Sequence, residues 1–410
     1  MAHTVGKVSD ILDHMSPAAA GGRRGDLDRF GPYRVVEKLA AGGMAELYKV
    51  RHPAAPGVFF TLKCIRSDCD DDPEFRNMLR DEAKITAILD HPNINRVVEV
   101  VEDNAQLGLI LEYVDGLDIG RLRRHMRKND SQLSMELCIH IVREVLEGLD
   151  YAHNIKDPEG EYLNVVHRDV SPGNVMVTTA GAVKLVDFGI ARAQNRLAKT
   201  EVGNVKGKFR YMAPEQIRGD PVGPGADVYA TAVFLWELLA GRRIYDEVGV
   251  PQLMIRVANA HVPSLDDARP GLPKTLHKVF ARATALRPED RFLSARAFAD
   301  ALDSVLLEYD LGRCRTELAL LVSAACRKDS LASFDRAVAR ARVAAESDLE
   351  DAILNALEQP DRVERVDISA VERAEPPSGQ LNQPEYPPEP PTMPMAQPVT
   401  RESSEFPSIV

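Results

Sequence analysis

The residue types that could do chemistry are concentrated between positions 167 and 189. This stretch starts with His-Arg-Asp-Val-Ser-Pro-Gly-Asn at 167–174 and ends with Asp-Phe-Gly at 187–189. Between these motifs, residues 175–177 and 183–186 are apolar and are separated by a turn rich in Thr, Ala and Gly. This pattern predicts a hairpin of two short strands.

Three oxygen-bearing side chains flank the predicted hairpin. Asp169 and Asn174 lie at its base and Asp187 at the end of its second strand, so the three can converge on one spot. Such a cluster suits Mg²⁺, which takes oxygen ligands. The protein supplies only one or two of these ligands, and substrate phosphates supply others. The alternative is three unrelated surface turns. Two motifs in this order, one hairpin apart, favour the cation site.

The two motifs resemble the catalytic loop and metal loop of protein kinases, H-R-D-x-x-x-x-N and D-F-G. The resemblance implies that Asp169 is the catalytic base, which accepts the proton of the substrate hydroxyl. It also implies that Asn174 and Asp187 hold the Mg²⁺ (or Mn²⁺) ions that accompany ATP. His167 is expected to pack under the metal loop.

Upstream, two alternating segments, 33–39 and 46–50, enclose a run of small residues. Because glycine has no Cβ atom, the backbone N–H groups of such a run can approach an anion closely. The pattern alone also fits a plain hairpin. Kinases carry G-x-G-x-x-G here, whereas this chain keeps only the middle glycine. By resemblance, the ATP-binding residues of this loop are Leu39, Ala40, Ala41, Gly42, Gly43, Met44, Ala45, Glu46 and Leu47.

Residues 59–65 are typical of a buried strand interrupted by Lys63. A buried lysine is costly unless it is paired. Glu82, on a predicted helix over 74–89, becomes its partner by resemblance to the kinase ion pair that holds the α- and β-phosphates. The alternative is a surface lysine whose stem covers apolar area. Thr61 stands where kinases usually carry alanine against the adenine.

The chain is β-rich up to about residue 115 and helical beyond it, and ligand sites favour such lobe boundaries. Residues 112–116, Glu-Tyr-Val-Asp-Gly, resemble the kinase hinge, whose backbone groups bind adenine. Leu111 is then the gatekeeper before the hinge. The resemblance assigns the adenine pocket to Leu111, Glu112, Val114 and Met176.

Ser171 stands where Ser/Thr kinases usually have a lysine that contacts the γ-phosphate, and Lys208 stands where they usually have threonine. In kinases this threonine touches the catalytic Asp and the lysine. By resemblance, the hydroxyl and the ammonium group have therefore exchanged positions in this chain. We interpret Lys208 as the group that supplies the missing charge; the alternative is an exposed Lys208 that binds substrate.

Thr200 is the best candidate phosphosite of the activation segment, residues 187–215. Arg168, beside the catalytic Asp, is the residue that such kinases pair with a phosphothreonine, and a phosphate can order a loop in this way. The alternative is an incidental loop threonine.

Structural roles follow for three further residues. Asp227, on an apolar and hence buried predicted helix, corresponds to the residue that fixes the catalytic-loop backbone. Arg291 corresponds to the partner of the A-P-E glutamate, Glu215. Residues 210–216, Arg-Tyr-Met-Ala-Pro-Glu-Gln, resemble the corresponding segment of bacterial Hanks-type Ser/Thr kinases. Tyr211 in this segment argues against a tyrosine kinase.

The composition limits the number of domains, the kinds of partner and the cellular compartment. With 410 residues, 44% of them apolar, the chain can form two to three domains, and its charge of −11 argues against a nucleic-acid partner. Five scattered cysteines indicate free thiols in a reducing compartment. The absence of an apolar run of membrane-spanning length, or of a signal-peptide core, predicts a cytoplasmic protein.

The expected fold is α+β: a two-lobed protein kinase fold with a β-rich N-lobe and a helical C-lobe, a C-terminal helical annex and a disordered tail. A turn at 157–160 predicts a small surface hairpin before the catalytic loop. The expected domains are a flexible segment at 1–32, a kinase domain at 33–306 (N-lobe 33–111, hinge 112–116, C-lobe 117–306), a helical annex at 307–358 and a Pro-rich disordered tail at 359–410.

The resulting functional expectation is transfer of the ATP γ-phosphoryl to Ser or Thr of proteins, with autophosphorylation in the activation segment. The alternative is a pseudokinase scaffold that signals by binding. Expected partners are ATP, protein substrates and a protein that binds the annex or tail.

Overall fold

The computed structural model describes residues 28–41, 45–65, 83, 86–103, 106–157, 159–188, 209–245, 248–306 and 310–327. Residues 328–358 of the predicted annex and the Pro-rich tail lie outside these residues, as does most of the predicted helix over 74–89.

The N-terminal part is a six-stranded sheet in the order β1-β2-β3-β4-β6-β5, with every neighbouring pair antiparallel. Two of its strands follow the predicted alternating segments, and a third is the predicted buried strand that carries Lys63. The six strands are β1 (Arg29–Phe30), β2 (Tyr33–Ala41), β3 (Ala45–Arg51), β4 (Phe59–Ile65), β5 (Val97–Asp103) and β6 (Gln106–Glu112).

The sheet begins earlier than the sequence pattern indicated. Arg29 and Phe30, expected in the flexible N-terminal segment, pair with β2, and the Phe30 side chain is fully buried. Phe30 is buried because it joins an apolar cluster with Tyr33, Leu62 and Cys64 on one face of the sheet. Two residues are too few to show the alternation that identifies a strand.

The alternation of side chains along β4 decides which face of the sheet carries Lys63. Its neighbours Leu62 and Cys64 belong to the cluster on the first face, so Lys63 projects from the opposite face. Leu47 on β3 and Leu109 on β6 are its register partners and share that face. Strand alternation alone thus places a buried ammonium group on the inner side of the sheet.

The C-terminal part is helical around α4 (Pro224–Ala240), whose residues 226–240 are all buried. Ser134 caps α2 (Met135–His153) by accepting the N–H of Leu137 at 3.2 Å. The helices are α1 (Ile119–Lys128), α2 (Met135–His153), α3 (Pro214–Arg218), α4 (Pro224–Ala240), α5 (Val250–Ala258), α6 (Leu265–Ala268), α7 (Lys274–Ala283), α8 (Ala295–Asp303) and α9 (Leu311–Cys326).

A second, three-stranded sheet lies where the two parts meet. It has the order β7-β8-β9, with β7 at Gly116–Asp118, β8 at Val175–Thr178 and β9 at Val183–Leu185. The β8–β9 pair is the hairpin that the apolar segments predicted.

The predicted surface hairpin before the catalytic loop is also present. Lys156 and Tyr162 form an antiparallel bridge, and the Lys156 ammonium lies over the Tyr162 ring. Among the described helices, none is both long and apolar enough to cross a membrane.

Candidate active site

The β8–β9 hairpin brings the two sequence motifs together. Val175 pairs with Leu185, and the Val186 N–H donates to the Asn174 carbonyl oxygen at 3.0 Å. Asn174 and Asp187, thirteen positions apart in the chain, therefore stand at the same end of the hairpin.

Asn174 is oriented by the catalytic loop. Its Nδ2 donates to Asp169 Oδ2 at 3.0 Å and to the Asp169 carbonyl oxygen at 2.8 Å. These two bonds use both amide hydrogens, so its Oδ1 is left as an acceptor. The loop thus holds one carboxylate and one amide oxygen side by side.

Lys63 joins the inner face of the large sheet to this end of the hairpin. Its Nζ lies 2.8 Å from Asp187 Oδ1, and the two side chains are 4% and 34% exposed. The predicted partner of Lys63, Glu82, lies outside the described residues, so that pairing stays a prediction.

These residues fit a divalent cation that arrives with phosphates. Within the described residues no group of three or more His, Cys, Asp and Glu could hold a metal on its own. Asp187, Asn174 and Asp169 supply two carboxylates and one amide, the partial oxygen set on which Mg²⁺ relies when phosphates complete its shell.

The catalytic-loop backbone is held from below by Asp227 on α4. Its buried carboxylate accepts the N–H groups of His167 at 2.8 Å and Arg168 at 2.7 Å. Arg168 adopts the left-handed conformation, with φ of 66°. Such a conformation is costly for a residue other than glycine and persists only where surrounding bonds impose it.

His167 packs under the metal loop, as the sequence predicted. Its ring contacts Phe188 edge-on at 4.6 Å, and its Nε2 lies 3.1 Å from the Val186 carbonyl oxygen. Its Nδ1 accepts the Asp169 N–H at 3.2 Å, so Nε2 must carry the proton. The imidazole is therefore committed to two backbone partners and is fully buried.

Buried Asp227 remains ionised because donors surround it. Burial by itself raises the pKa of this carboxyl, but the hydrogen bond and charge of His153, together with His167, outweigh burial and hold the pKa below 3.8. The His153 Nε2 lies 2.8 Å from Asp227 Oδ2.

We expect the stability that Asp227 contributes to be lost as the pH falls below about 4. A carboxyl whose pKa is lower in the native than in the unfolded state binds fewer protons in the native state, so it stabilises the fold above its unfolded pKa. The free energy of unfolding of the wild type and of Asp227→Asn, measured from pH 7 to pH 3, should converge in acid. A constant difference would contradict the assignment.

The residues assigned to adenine lie on the face of the large sheet that carries Lys63, in the hinge and on β8 of the second sheet. Thr61 on β4 is the register partner of Leu111 on β6, so both lie on the face that carries Lys63. Val114 in the hinge is buried, and Met176 on β8 is half-buried.

Glu112, where β6 meets the hinge, is held by two elements. Lys184 on β9 lies 2.6 Å from Glu112 Oε1, and the Arg96 N–H donates to the same oxygen at 3.0 Å. The side chain therefore ties the hinge to the β8–β9 hairpin.

The candidate phosphate loop is described only at its ends. Ala40 pairs with Leu47 and Ala41 with Glu46, while residues 42–44 lie outside the described residues. The Glu46 carboxylate accepts the ammonium of Lys38 and the hydroxyl of Tyr48, each at 2.6 Å. Leu39 and Ala45 are half-buried at the two ends of the hairpin.

The A-P-E segment is fixed by a buried ion pair. Arg291 donates through Nη1 and Nη2 to both carboxylate oxygens of Glu215, at 2.7 and 2.8 Å. The Gln216 amide on the same helix donates to the Arg168 carbonyl oxygen at 3.0 Å. Ser171 is half-buried in the catalytic loop, whereas Lys208 and Thr200 lie outside the described residues.

Sequence reasoning missed three residues that position the site: His153 under Asp227, Lys184 at the hinge and Gln216 behind the catalytic loop. His153 and Lys184 stand in ordinary helix and strand patterns, and Gln216 belongs to a motif noted only for family resemblance. The sequence carries no signal for their contacts, since each partner is at least 48 positions away.

Comparison with known proteins agrees with this geometry. The family model for the protein kinase domain matches residues 33–299. The chain is 37% identical over 285 residues to the tyrosine-protein kinase MasK of Myxococcus xanthus, covering 69% of this chain and 44% of MasK. It is 34% identical over 279 residues to the serine/threonine-protein kinase PknD of Mycobacterium tuberculosis, covering 68% of this chain and 40% of PknD.

Among solved structures, the Mycobacterium tuberculosis PknI kinase domain matches with a TM-score of 0.51 and 33% identity, covering 70% of this chain and 99% of that domain. The chain spans less than half the length of these two curated relatives, MasK and PknD. The matched residues, 33–299, include both halves of the site, from the strand of Lys63 to the helix of Asp227. The chain therefore belongs to the protein kinase family.

Proposed function

We propose that this protein transfers the γ-phosphoryl group of ATP to Ser or Thr hydroxyls of protein substrates. The observation that carries the proposal is the contact of Lys63 Nζ with Asp187 Oδ1 at 2.8 Å. It places the lysine of one lobe beside the metal-loop carboxylate, so that one group suited to the phosphates and one suited to the cation, both needed for phosphoryl transfer from ATP, lie in the same cleft.

The proposed roles combine the described contacts with the resemblance to kinases. Asp169, oriented by the Asn174 amide, accepts the proton of the substrate hydroxyl and holds that hydroxyl in line with the phosphoryl group. Lys63 binds the α- and β-phosphates, with Glu82 as its second partner. Leu111, Glu112, Val114 and Met176 enclose the adenine.

Asn174 and Asp187 are the residues that would hold the cation, and Mg²⁺ or Mn²⁺ suits their oxygen atoms. When bound, the cation neutralises phosphate charge as the phosphoryl group departs. Asp227 keeps the loop backbone in place through its bonds to His167 and Arg168.

The test is transfer of label from γ-labelled ATP with Mg²⁺, followed by identification of the labelled amino acid. Label on Ser or Thr supports the proposal, whereas label confined to Tyr would move the assignment toward the activity named for MasK. ATP binding without transfer would instead support the pseudokinase scaffold. A catalytically inactive variant serves as the control for contaminating kinases.

We further propose that Lys208 supplies the positive charge that Ser171 lacks. Lys208→Ala should then lower kcat by about 10²–10³, the cost of removing one charged group that stabilises a transition state. The exchange Ser171→Lys with Lys208→Thr should restore part of the rate. A Lys208→Ala enzyme with wild-type kinetics would exclude this role.

Thr200 is the proposed autophosphorylation site, with Arg168 as the partner of its phosphate. Mapping phosphosites on the active protein tests the assignment, and a Thr200 that is never modified would count against it. The predicted domain boundaries, a cytoplasmic location and a protein partner for the annex or tail remain proposals.

A further inference from the structure

Helix α9 (Leu311–Cys326) follows the residues that the kinase family model matches, 33–299, yet it packs on the C-lobe. It contacts α1, α2, β7 and β8. Leu318, Leu321 and Val322 are at most 2% exposed. The first helix of the predicted annex is therefore part of the same folded core as the active site.

The two ends of α9 lie at different places on that core. Near its start, Arg315 Nε donates to the Ala180 carbonyl oxygen in the β8–β9 turn at 3.3 Å. At its end, burial first and the Asp115 carboxylate second raise the pKa of the Cys326 thiol. Ser323 and Asp115 both bond to Thr179, so this end of α9 lies on the turn that is bonded to the hinge.

The turn between β8 and β9 touches the α9 backbone directly. A Cβ atom at Gly181 would lie 2.0 Å from the Arg315 carbonyl oxygen, and Gly181 has a φ of 75°. Only glycine satisfies both conditions. The Ser323 hydroxyl on α9 also donates to the Thr179 carbonyl oxygen at 3.5 Å.

The same turn is bonded to the hinge. The Thr179 N–H donates to the Asp115 carbonyl oxygen at 2.8 Å, and the Thr179 hydroxyl donates to the Asp115 carboxylate at 3.3 Å. Asp118 on β7 pairs with Met176 on β8. Consequently α9, the β8–β9 turn, the hinge and the strand that carries Met176 form one connected unit.

We propose that α9 is a positioning element of the nucleotide site, with Gly181 and Ser323 as positioning residues, so that docking of α9 and binding of ATP strengthen each other. The inference rests on the proposed function because it requires ATP in this cleft.

Linkage supplies a test on the unaltered full chain, because two coupled events must affect each other by the same factor. Binding of a non-hydrolysable ATP analogue should slow amide hydrogen exchange in residues 312–326 more than in α8, a helix of the same lobe. Equal slowing in both helices, or unchanged exchange in α9, would overturn the proposal.

A pair of variants provides the second test. Gly181→Ala places its Cβ against α9, whereas Gly160→Ala imposes a similar backbone cost at φ of 92° with no atom within 4 Å. We expect Gly181→Ala to raise KM for ATP by about 5- to 150-fold, the usual range of coupling between sites, with kcat at saturating ATP nearly unchanged. Gly160→Ala should match the wild type.

Leu318→Ala, which loosens the buried face of α9, is the second variant if Gly181→Ala does not fold. Rapid exchange of α9 amides in either variant, combined with wild-type KM for ATP, would refute the coupling. ATP binding to the wild type, measured by calorimetry, separates the two proposals. Absence of binding defeats both, whereas binding without coupling defeats this one alone.

Discussion

Replacing Asp169 with asparagine is expected to lower kcat by about 10²–10⁴, the usual contribution of a positioned general base. The asparagine side chain has the same shape but accepts no proton at neutral pH. Its neighbour Asn174 can keep its bond to the Asp169 carbonyl oxygen at 2.8 Å, so the loop should retain its conformation. The affinity for ATP should therefore change little.

The measurement is the initial rate of phosphoryl transfer at saturating ATP, with nucleotide affinity determined separately. Asp266→Asn is the matched control, because that carboxylate is 70% exposed and lies on α6. If Asp169→Asn retains more than a tenth of wild-type kcat, Asp169 is not the base. If ATP affinity falls instead, its main role is to organise the nucleotide site.

Replacing Arg291 with alanine is expected to destabilise the fold by about 3–5 kcal/mol, the cost of removing one partner from a buried ion pair. The side chain is fully buried and donates to both oxygens of Glu215. It also donates to the carbonyl oxygens of Ala285, Gly225 and Leu286 at 2.8, 2.8 and 3.2 Å. Its removal would leave a carboxylate and these carbonyls without their donor.

For a domain of this size, the loss corresponds to a fall in Tm of about 6–20 °C. Arg296→Ala is the control, because the Arg296 side chain is 54% exposed and pairs with Glu147 at 2.8 Å. An exposed pair contributes at most about 1 kcal/mol, so this variant should melt close to the wild type. Equal Tm values for Arg291→Ala and Arg296→Ala would contradict the structural role of Arg291.

The elements nearest the chemistry were predictable because their signals are local. The apolar segments around the Thr-Ala-Gly turn are β8 and β9, and the apolar run ending at Gly241 is α4. Gly241 ends that helix in the left-handed conformation, with φ of 63°. In each case, the periodicity of apolar residues or the turn can be recognised from residues that are neighbours in the sequence.

Contacts between distant segments were predictable only through family resemblance. The Glu215–Arg291 pair spans 76 positions, and nothing in the local sequence indicates that these two charges meet. Lys63 contacts Asp187, 124 positions away, and the Glu82 partner that the resemblance predicts lies outside the described residues. A buried ammonium group needs a carboxylate, but its identity depends on how the lobes meet.

By itself, the sequence determined the strands of the site hairpin, the buried helix of Asp227, the catalytic and metal-loop motifs, and the family resemblance, because these reside in residue types and short spacings. The tertiary structure decided what surrounds them: His153 under Asp227, Lys184 at the hinge, and α9 against Gly181. Burial and hydrogen bonding between segments far apart in the chain depend on the packed shape of the whole fold, and no local pattern encodes that shape.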